Sequence, residues 1–163
     1  LGGAFDRERV LQILKDSRIG VFGACALVLS IAGRAALLAR LGPDAAWAWP
    51  LVSTVARVGP VWQIAALPYV TTAASRSRAV TRARSPQALV ATAWAACAGI
   101  AAVATHRFDA GRIGAAFAVA AAVTLLTGWR YARRVGGFTG DFLGATEQLC
   151  ELAAYGVLAW GRP

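Results

Sequence analysis

Gln12-Ile13-Leu14-Lys15-Asp16-Ser17-Arg18-Ile19-Gly20 marks the point where a short charged segment gives way to the first long apolar run, Ile19 to Leu41. That run is long enough to cross a bilayer as a helix, which takes about 20 residues. At its mouth a cation, a carboxylate and a hydroxyl stand in a row. Such a cluster is costly beside lipid, so it calls for a solvated or a functional explanation.

The same character extends through the 163 residues: 58% are apolar, 15% are charged, and the mean hydropathy is +0.54. Soluble domains of this size rarely carry so few charges. The apolar residues are gathered into bilayer-length runs, so the chain reads as an all-α integral membrane protein. It contains no methionine and opens on Leu1, and therefore reads as part of a longer chain. No cleavable signal peptide is apparent, because the first apolar stretch is too long.

The net charge is +9, from seventeen cations against eight acids. On a soluble protein this would suggest nucleic acid. Here the cations sit in short loops between apolar runs, with no aromatic-interleaved basic stripe, so nucleic acid is excluded as a partner. Topology signals and phosphate-bearing substrates account for them better. Cys25, Cys97 and Cys150 lie far apart inside apolar runs and read as small packing residues rather than ligands or disulfides.

In chain order, residues 1–18 form an interfacial segment in which Asp6 caps a short amphipathic helix with Val10, Leu11 and Leu14 on its apolar edge. Five spanning helices follow in one membrane domain, over 19–41, 45–70, 87–105, 113–129 and 141–160. The second contains Pro50, Arg57, Gly59 and Pro60. Its roughly eight strong apolar residues gain about 0.3–0.6 kcal/mol each on insertion, whereas a central Arg costs about 2.5–3.5 kcal/mol. The sum is near zero, so Arg57 must face the bundle interior or a polar cavity, while Arg34, nearer its helix end, can snorkel. His106 reads as a structural loop residue, and Thr71 to Pro86 as a polar basic linker.

The cations set the sidedness. Arg7, Arg9, Lys15, Arg18, Arg76, Arg78, Arg82, Arg84, Arg130, Arg133 and Arg134 fall on one face; Arg40, Arg107, Arg112 and Arg162 fall on the other. The positive-inside tendency makes the richer face cytoplasmic. It also carries the second block of interest, Gly136-Gly137-Phe138-Thr139-Gly140-Asp141-Phe142-Leu143-Gly144-Ala145. A helix beginning near Asp141 sets Asp141, Gly144, Gln148 and Glu151 on one stripe, with Glu147 at its edge. Intramembrane carboxylates are rare without a function. Gly140 and Gly144 suit either close helix packing or backbone approach to an anion, and Glu151 could pair with Arg57 or another buried cation.

Residues 1–20 and 136–145 together resemble the cobalamin synthase family, the adenosylcobinamide-GDP ribazoletransferases. The resemblance implies a multi-pass enzyme of the inner (plasma) membrane that transfers the adenosylcobinamide phosphate group from adenosylcobinamide-GDP to α-ribazole or α-ribazole 5′-phosphate. GMP is released and Mg²⁺ is used. It implies Asp16, Asp141 and Ser17 as catalytic residues, with Asp16 and Asp141 on the metal. Lys15, Arg18, Arg57, Gly140, Gly144 and Glu151 would meet substrate, and the family leaves room for an oligomer. Diphosphate chemistry has use for such groups: carboxylates for the metal, cations for the phosphates.

Three departures stand out. An aspartate-rich motif of the family, Asp-Gly-x-x-Asp-Thr-x-Asp-Gly, is absent before Leu1; Gln148 stands where Glu is frequent; and Val70-Thr71-Thr72-Ala73 replaces a Gly-rich turn. The chain alone is thus expected to be inactive and the complete protein active. The competing readings are a CDP-alcohol-type membrane phosphotransferase acting on lipid, and a non-enzymatic or inactive membrane fragment with polar groups near the midplane.

Overall fold

A computed structural model describes Val10, Ile13 and residues 19–70 and 83–162. Five α-helices carry the described chain: α1 (Val21–Leu41), α2 (Ala45–Ala66), α3 (Ser85–Ala104), α4 (Ala110–Val135) and α5 (Gly140–Ala159). The expected all-α fold is observed. Among the described residues the only strand-like pairing is a parallel bridge between Tyr69 and Phe138.

α1 stops at Gly42, whose φ of 55° lies in the region that glycine tolerates. A single 3₁₀ turn, Gly42–Asp44, reverses the chain into α2. α2 runs through Pro50 and Pro60 without breaking and ends at Ala66 rather than at residue 70. Pro68 explains the early stop, because the residue before a proline is pushed out of helical geometry, and Leu67 is extended. α3 starts two residues before the expected Gln87, since Pro86 is tolerated in a first turn. α4 extends six residues past the expected end at Trp129. Arg133 and Arg134 occupy its last turn, where cations complement the helix dipole, and left-handed Gly136 (φ 78°) closes it.

Among the described residues three helical stretches are long and apolar enough to cross a membrane: Val21–Ala66, which contains the α1–α2 hairpin, Ser85–Ala104 and Ala110–Val135. The protein is a membrane protein. α5 carries three acids and does not reach the same apolarity, yet it is the hub, packing against α1, α2 and α4. Its buried face, Thr146, Cys150, Ala154, Tyr155 and Leu158, meets Leu51, Val52, Val55 and Ala56 of α2 and Ala116 and Ala120 of α4 in one core. α3 lies on the far side of α2, seated through Ala88, Ala95 and Ala102, a heptad stripe of small buried residues that lets the backbones approach.

The hub is tied at depth by an amide. Gln63 of α2 is buried and donates to Thr127 Oγ1 (2.8 Å) and the Thr124 carbonyl (3.1 Å) of α4. Its Oε1 accepts from Thr146 of α5 at 3.1 Å. A buried amide so fully bonded fixes the relative register of three helices, because sliding any of them would orphan it.

Candidate functional site: a polar groove at the glycine-rich end

The end of the bundle that holds the second block is built on a backbone crossing. Phe138 N donates to the Pro68 carbonyl (3.0 Å) and Val70 N to the Phe138 carbonyl (2.9 Å). Gly137 is required there: a Cβ on it would fall 2.1 Å from the Pro68 oxygen. Thr139 then caps α5, its hydroxyl accepting from Phe142 N. Tyr131 stacks on Phe142 at 4.2 Å and donates to the Phe142 carbonyl at 3.1 Å. Val10 is buried against Tyr131, Val135 and Phe142. A residue of the first block thus sits beside Phe142, the neighbour of Asp141.

Asp141 occupies the first turn of α5 and is exposed, with no side-chain hydrogen bond or ion pair among the described residues. Nothing lies within 4 Å of a Cβ placed on Gly140 or Gly144. These two glycines are therefore not a helix-packing seam among the described residues; they line open space. The opening follows from how α1 and α2 meet α5. α1 touches α5 from its middle onward, where Ser30 donates to Gln148 Oε1 (3.3 Å) and Arg34 pairs with Glu151 (3.2 Å). Its first turns make no such contact among the described residues, with Phe22 93% exposed. α2 forms the other wall, on which Arg57 pairs with Glu147 at 3.1 Å and donates to the Ser53 carbonyl at 2.7 Å.

Among the described residues this leaves a polar groove along α5, with the exposed Asp141 at one end and the Arg34–Glu151 pair farther along. Two expectations change here. Arg57, expected in the bundle interior or a polar cavity, is not in the interior: its side chain is 61% exposed beside Glu147. Arg34 does not snorkel to a helix end; Glu151 holds it inside. Glu151 takes the second of the two partners expected for it, a buried cation other than Arg57, namely Arg34, and Arg57 pairs instead with Glu147, one turn away on the same face of α5. The Arg34 Nε is buried without a partner. The polar groups are therefore spread from the mouth to mid-depth rather than gathered at one face.

Of the expected site residues, Asp141, Gly140, Gly144, Arg57 and Glu151 come together along this groove. Lys15, Asp16, Ser17 and Arg18 lie outside the described residues, as does the linker over 71–82. Glu147, Arg34 and Gln63 were not singled out as site or network residues from sequence; the signal for Glu147 was its place one turn from Gly144 on α5. Among the described residues no three of His, Cys, Asp and Glu cluster, so these alone do not make a metal centre.

The opposite end contains a different arrangement. Asp44, in the turn between α1 and α2, pairs with Arg162 and with Arg107 (3.1 Å). Arg40 donates to the Arg162 carbonyl, and the Arg162 guanidinium lies 5.1 Å over the Phe108 ring. The hydrogen bond from Arg162, helped by that from Arg107 and partly offset by burial, holds the Asp44 carboxyl below the usual carboxylate range.

A family model described as cobalamin-5-phosphate synthase matches residues 1–159. Proteins named adenosylcobinamide-GDP ribazoletransferase are similar to the chain. That of Polaromonas naphthalenivorans (strain CJ2) is 42% identical over 175 residues, covering 95% of this chain and 62% of the relative. That of Leptothrix cholodnii is 39% identical over 98% of the chain and 62% of the relative. That of Vibrio cholerae is 34% identical over 97% of the chain and 60% of the relative. The chain thus spans about three fifths of the length of these curated relatives. No solved structure matches it.

Proposed function

We propose, from the premise that the chain belongs to the cobalamin-5-phosphate synthase family, that it is the groove-bearing part of an adenosylcobinamide-GDP ribazoletransferase. In that reaction a hydroxyl oxygen of α-ribazole, or of its 5′-phosphate, attacks the phosphorus nearest the cobinamide. The bond from that phosphorus to the bridging oxygen breaks, GMP leaves with the bridging oxygen, and the hydroxyl proton passes to a base. The family match favours this over the CDP-alcohol-type and scaffold readings.

The observation that carries the reading is the groove itself. A diphosphate needs cations it can reach, and Arg57 supplies one, exposed and held by Glu147 and Ser53. It needs close approach of the charged group, and Gly140 and Gly144 leave that space open. It needs an unneutralised carboxylate at the mouth, and Asp141 is available there. Lys15, Asp16, Ser17 and Arg18 belong to this reading as the second half of the site. Val10, a described residue of the same block, is buried beside Phe142, the neighbour of Asp141. Magnesium enters through Asp16 and Asp141. When bound it supplies charge neutralisation on phosphate oxygens, and the described residues contribute one of its two expected protein ligands. All five helices span in this reading, and the Asp141 end faces the cytoplasm, in keeping with its excess of arginines.

The test is made with the complete protein in liposomes, supplied with adenosylcobinamide-GDP and α-ribazole, while GMP release and cobamide formation are followed together. Stoichiometric appearance of both products, lost in Asp141→Asn, is the expected result. Turnover of a CDP-linked lipid precursor with no use of cobinamide-GDP would overturn the reading.

A further inference from the structure

On the side of α2 away from the polar groove, a cavity of about 690 Å³ opens between α3 and α4. α3 and α4 approach closely only near the far end, where Gly99 faces Phe117 and Ile113. Towards the glycine-rich end they part, and the floor of the gap is the α2 face from Val55 to Leu67. The lining is almost wholly apolar. Its few polar groups are already satisfied from within: Trp62 Nε1 donates to Thr92 (3.0 Å), Thr92 to the Ala88 carbonyl (2.8 Å), Thr124 to the Ala120 carbonyl (2.8 Å), and Gln63 to α4. Water entering such a space finds no unmet partner, so the cavity favours an apolar occupant. Its size is that of a ligand site rather than a packing defect.

The mouth carries a second signal. Trp129 lines it and is exposed, the position that interfacial tryptophans take at headgroup level. One turn further along α4, beyond the apolar lining, Arg133 lies with its guanidinium 5.1 Å over the Trp129 ring. An apolar slot that opens sideways from membrane-crossing helices, with a cation one turn above its rim, matches a molecule with a long apolar tail and an anionic head.

We infer that this cavity is a binding site for an anionic phospholipid, with an acyl chain between α3 and α4 and the phosphate at Arg133. The inference is independent of the reaction assigned to the polar groove.

The test uses the chain in nanodiscs of phosphatidylcholine that contain phosphatidylglycerol with a photoreactive diazirine on its acyl chain, the labelled peptides being mapped by mass spectrometry. Label is expected on the α2 and α4 walls of the cavity. Gly128→Leu adds bulk at the cavity floor, where a Cβ would already touch Gln63 (3.6 Å) and Leu67 (4.0 Å), so the rest of the side chain must take up cavity space. It should lower cavity labelling by about fivefold or more, because lipid affinity follows the apolar area the acyl chain can bury. Label at the exposed Phe22 face should stay unchanged. Ala121→Phe is the second filling variant should the first lose helicity. Arg133→Gln should leave acyl labelling in place when the probe is phosphatidylcholine and abolish the preference for phosphatidylglycerol. Equal cavity labelling in the parent and in a folded filling variant would overturn the proposal, as would chain-to-chain crosslinks at these walls in place of lipid adducts.

Discussion

The two ends of the bundle treat a carboxylate in opposite ways. At the turn between α1 and α2, Asp44 is claimed by two arginines from distant parts of the chain, and a third reaches the same cluster through the Arg162 carbonyl. At the start of α5, Asp141 stands exposed with no side-chain partner among the described residues, beside two glycines that leave the space in front of it open. Both residues lie near a helix start, where a negative charge is welcome. What separates them is whether cations converge. The first arrangement fastens loops together; the second leaves a charge ready to meet something from outside. Between them the groove grades from one condition to the other, through the half-open Arg57–Glu147 pair to the enclosed Arg34–Glu151 pair.

That contrast breaks most visibly at the Arg34–Glu151 end of the groove. Glu151→Ala leaves Arg34 charged at membrane depth with only the Ser30 hydroxyl as partner, and the expected loss is about 3 kcal/mol, seen as a lower unfolding midpoint in detergent. The double variant Arg34→Met/Glu151→Leu should lose far less, since it removes the stranded charge as well. A single variant as stable as the parent would mean that Glu151 does not neutralise Arg34.

Removing the unclaimed carboxylate should do the reverse. Asp141→Asn is expected to change stability by no more than about 0.5 kcal/mol. In the complete protein it should reduce GMP release by about 100-fold or more, as losses of charge-stabilising groups do. If the melting curve moves and the rate does not, the two ends are alike and the contrast fails.

Gln63→Leu tests the three-helix tie. It leaves the Thr127 and Thr146 hydroxyls without the amide, and about 1–3 kcal/mol should go, as when buried polar groups lose a partner. Gln63→Glu should do no better, because an acid cannot donate to the Thr124 carbonyl once ionised.

The smallest effect belongs to the Asp44 clamp, exposed enough that about 1 kcal/mol is the ceiling. Its carboxyl titrates lower in the folded protein than in the unfolded chain, whose value is near 3.9. The contribution is therefore complete above about pH 4 and is lost as the pH falls through the lower folded value. Melts at descending pH should show this limb in the parent and lack it in Asp44→Asn.

Much of this was legible in the chain. The helices follow from apolar runs punctuated by glycine and proline: Gly42-Pro43 ends α1, and Gly136 ends α4. Where bounds moved, the cause was local and readable afterwards, as with Pro68 drawing α2 to an early stop. The Asp141–Gly144 stripe was legible too, because helical periodicity alone puts those residues on one face. Pairing was not. Whether Arg34 slides to a helix end or is held by Glu151, and whether Arg57 meets Glu147 or Glu151, depends on which sides of α5 receive α1 and α2. Nor did Gln63 advertise itself, since a lone amide in an apolar run has no periodic signature and acquires meaning only when three helices converge on it.

Sequence by itself determined that this is a helical membrane protein and where its chemistry-bearing residues sit along each helix, because hydropathy and the 3.6-residue period act within a single segment. Only the tertiary structure decided which charges neutralise one another, that Gly140 and Gly144 meet no other described residue, and that α3 and α4 diverge around a cavity. Those outcomes depend on the angles at which helices far apart in the chain cross, and such angles are set by the sum of many small packing contacts that no single segment encodes.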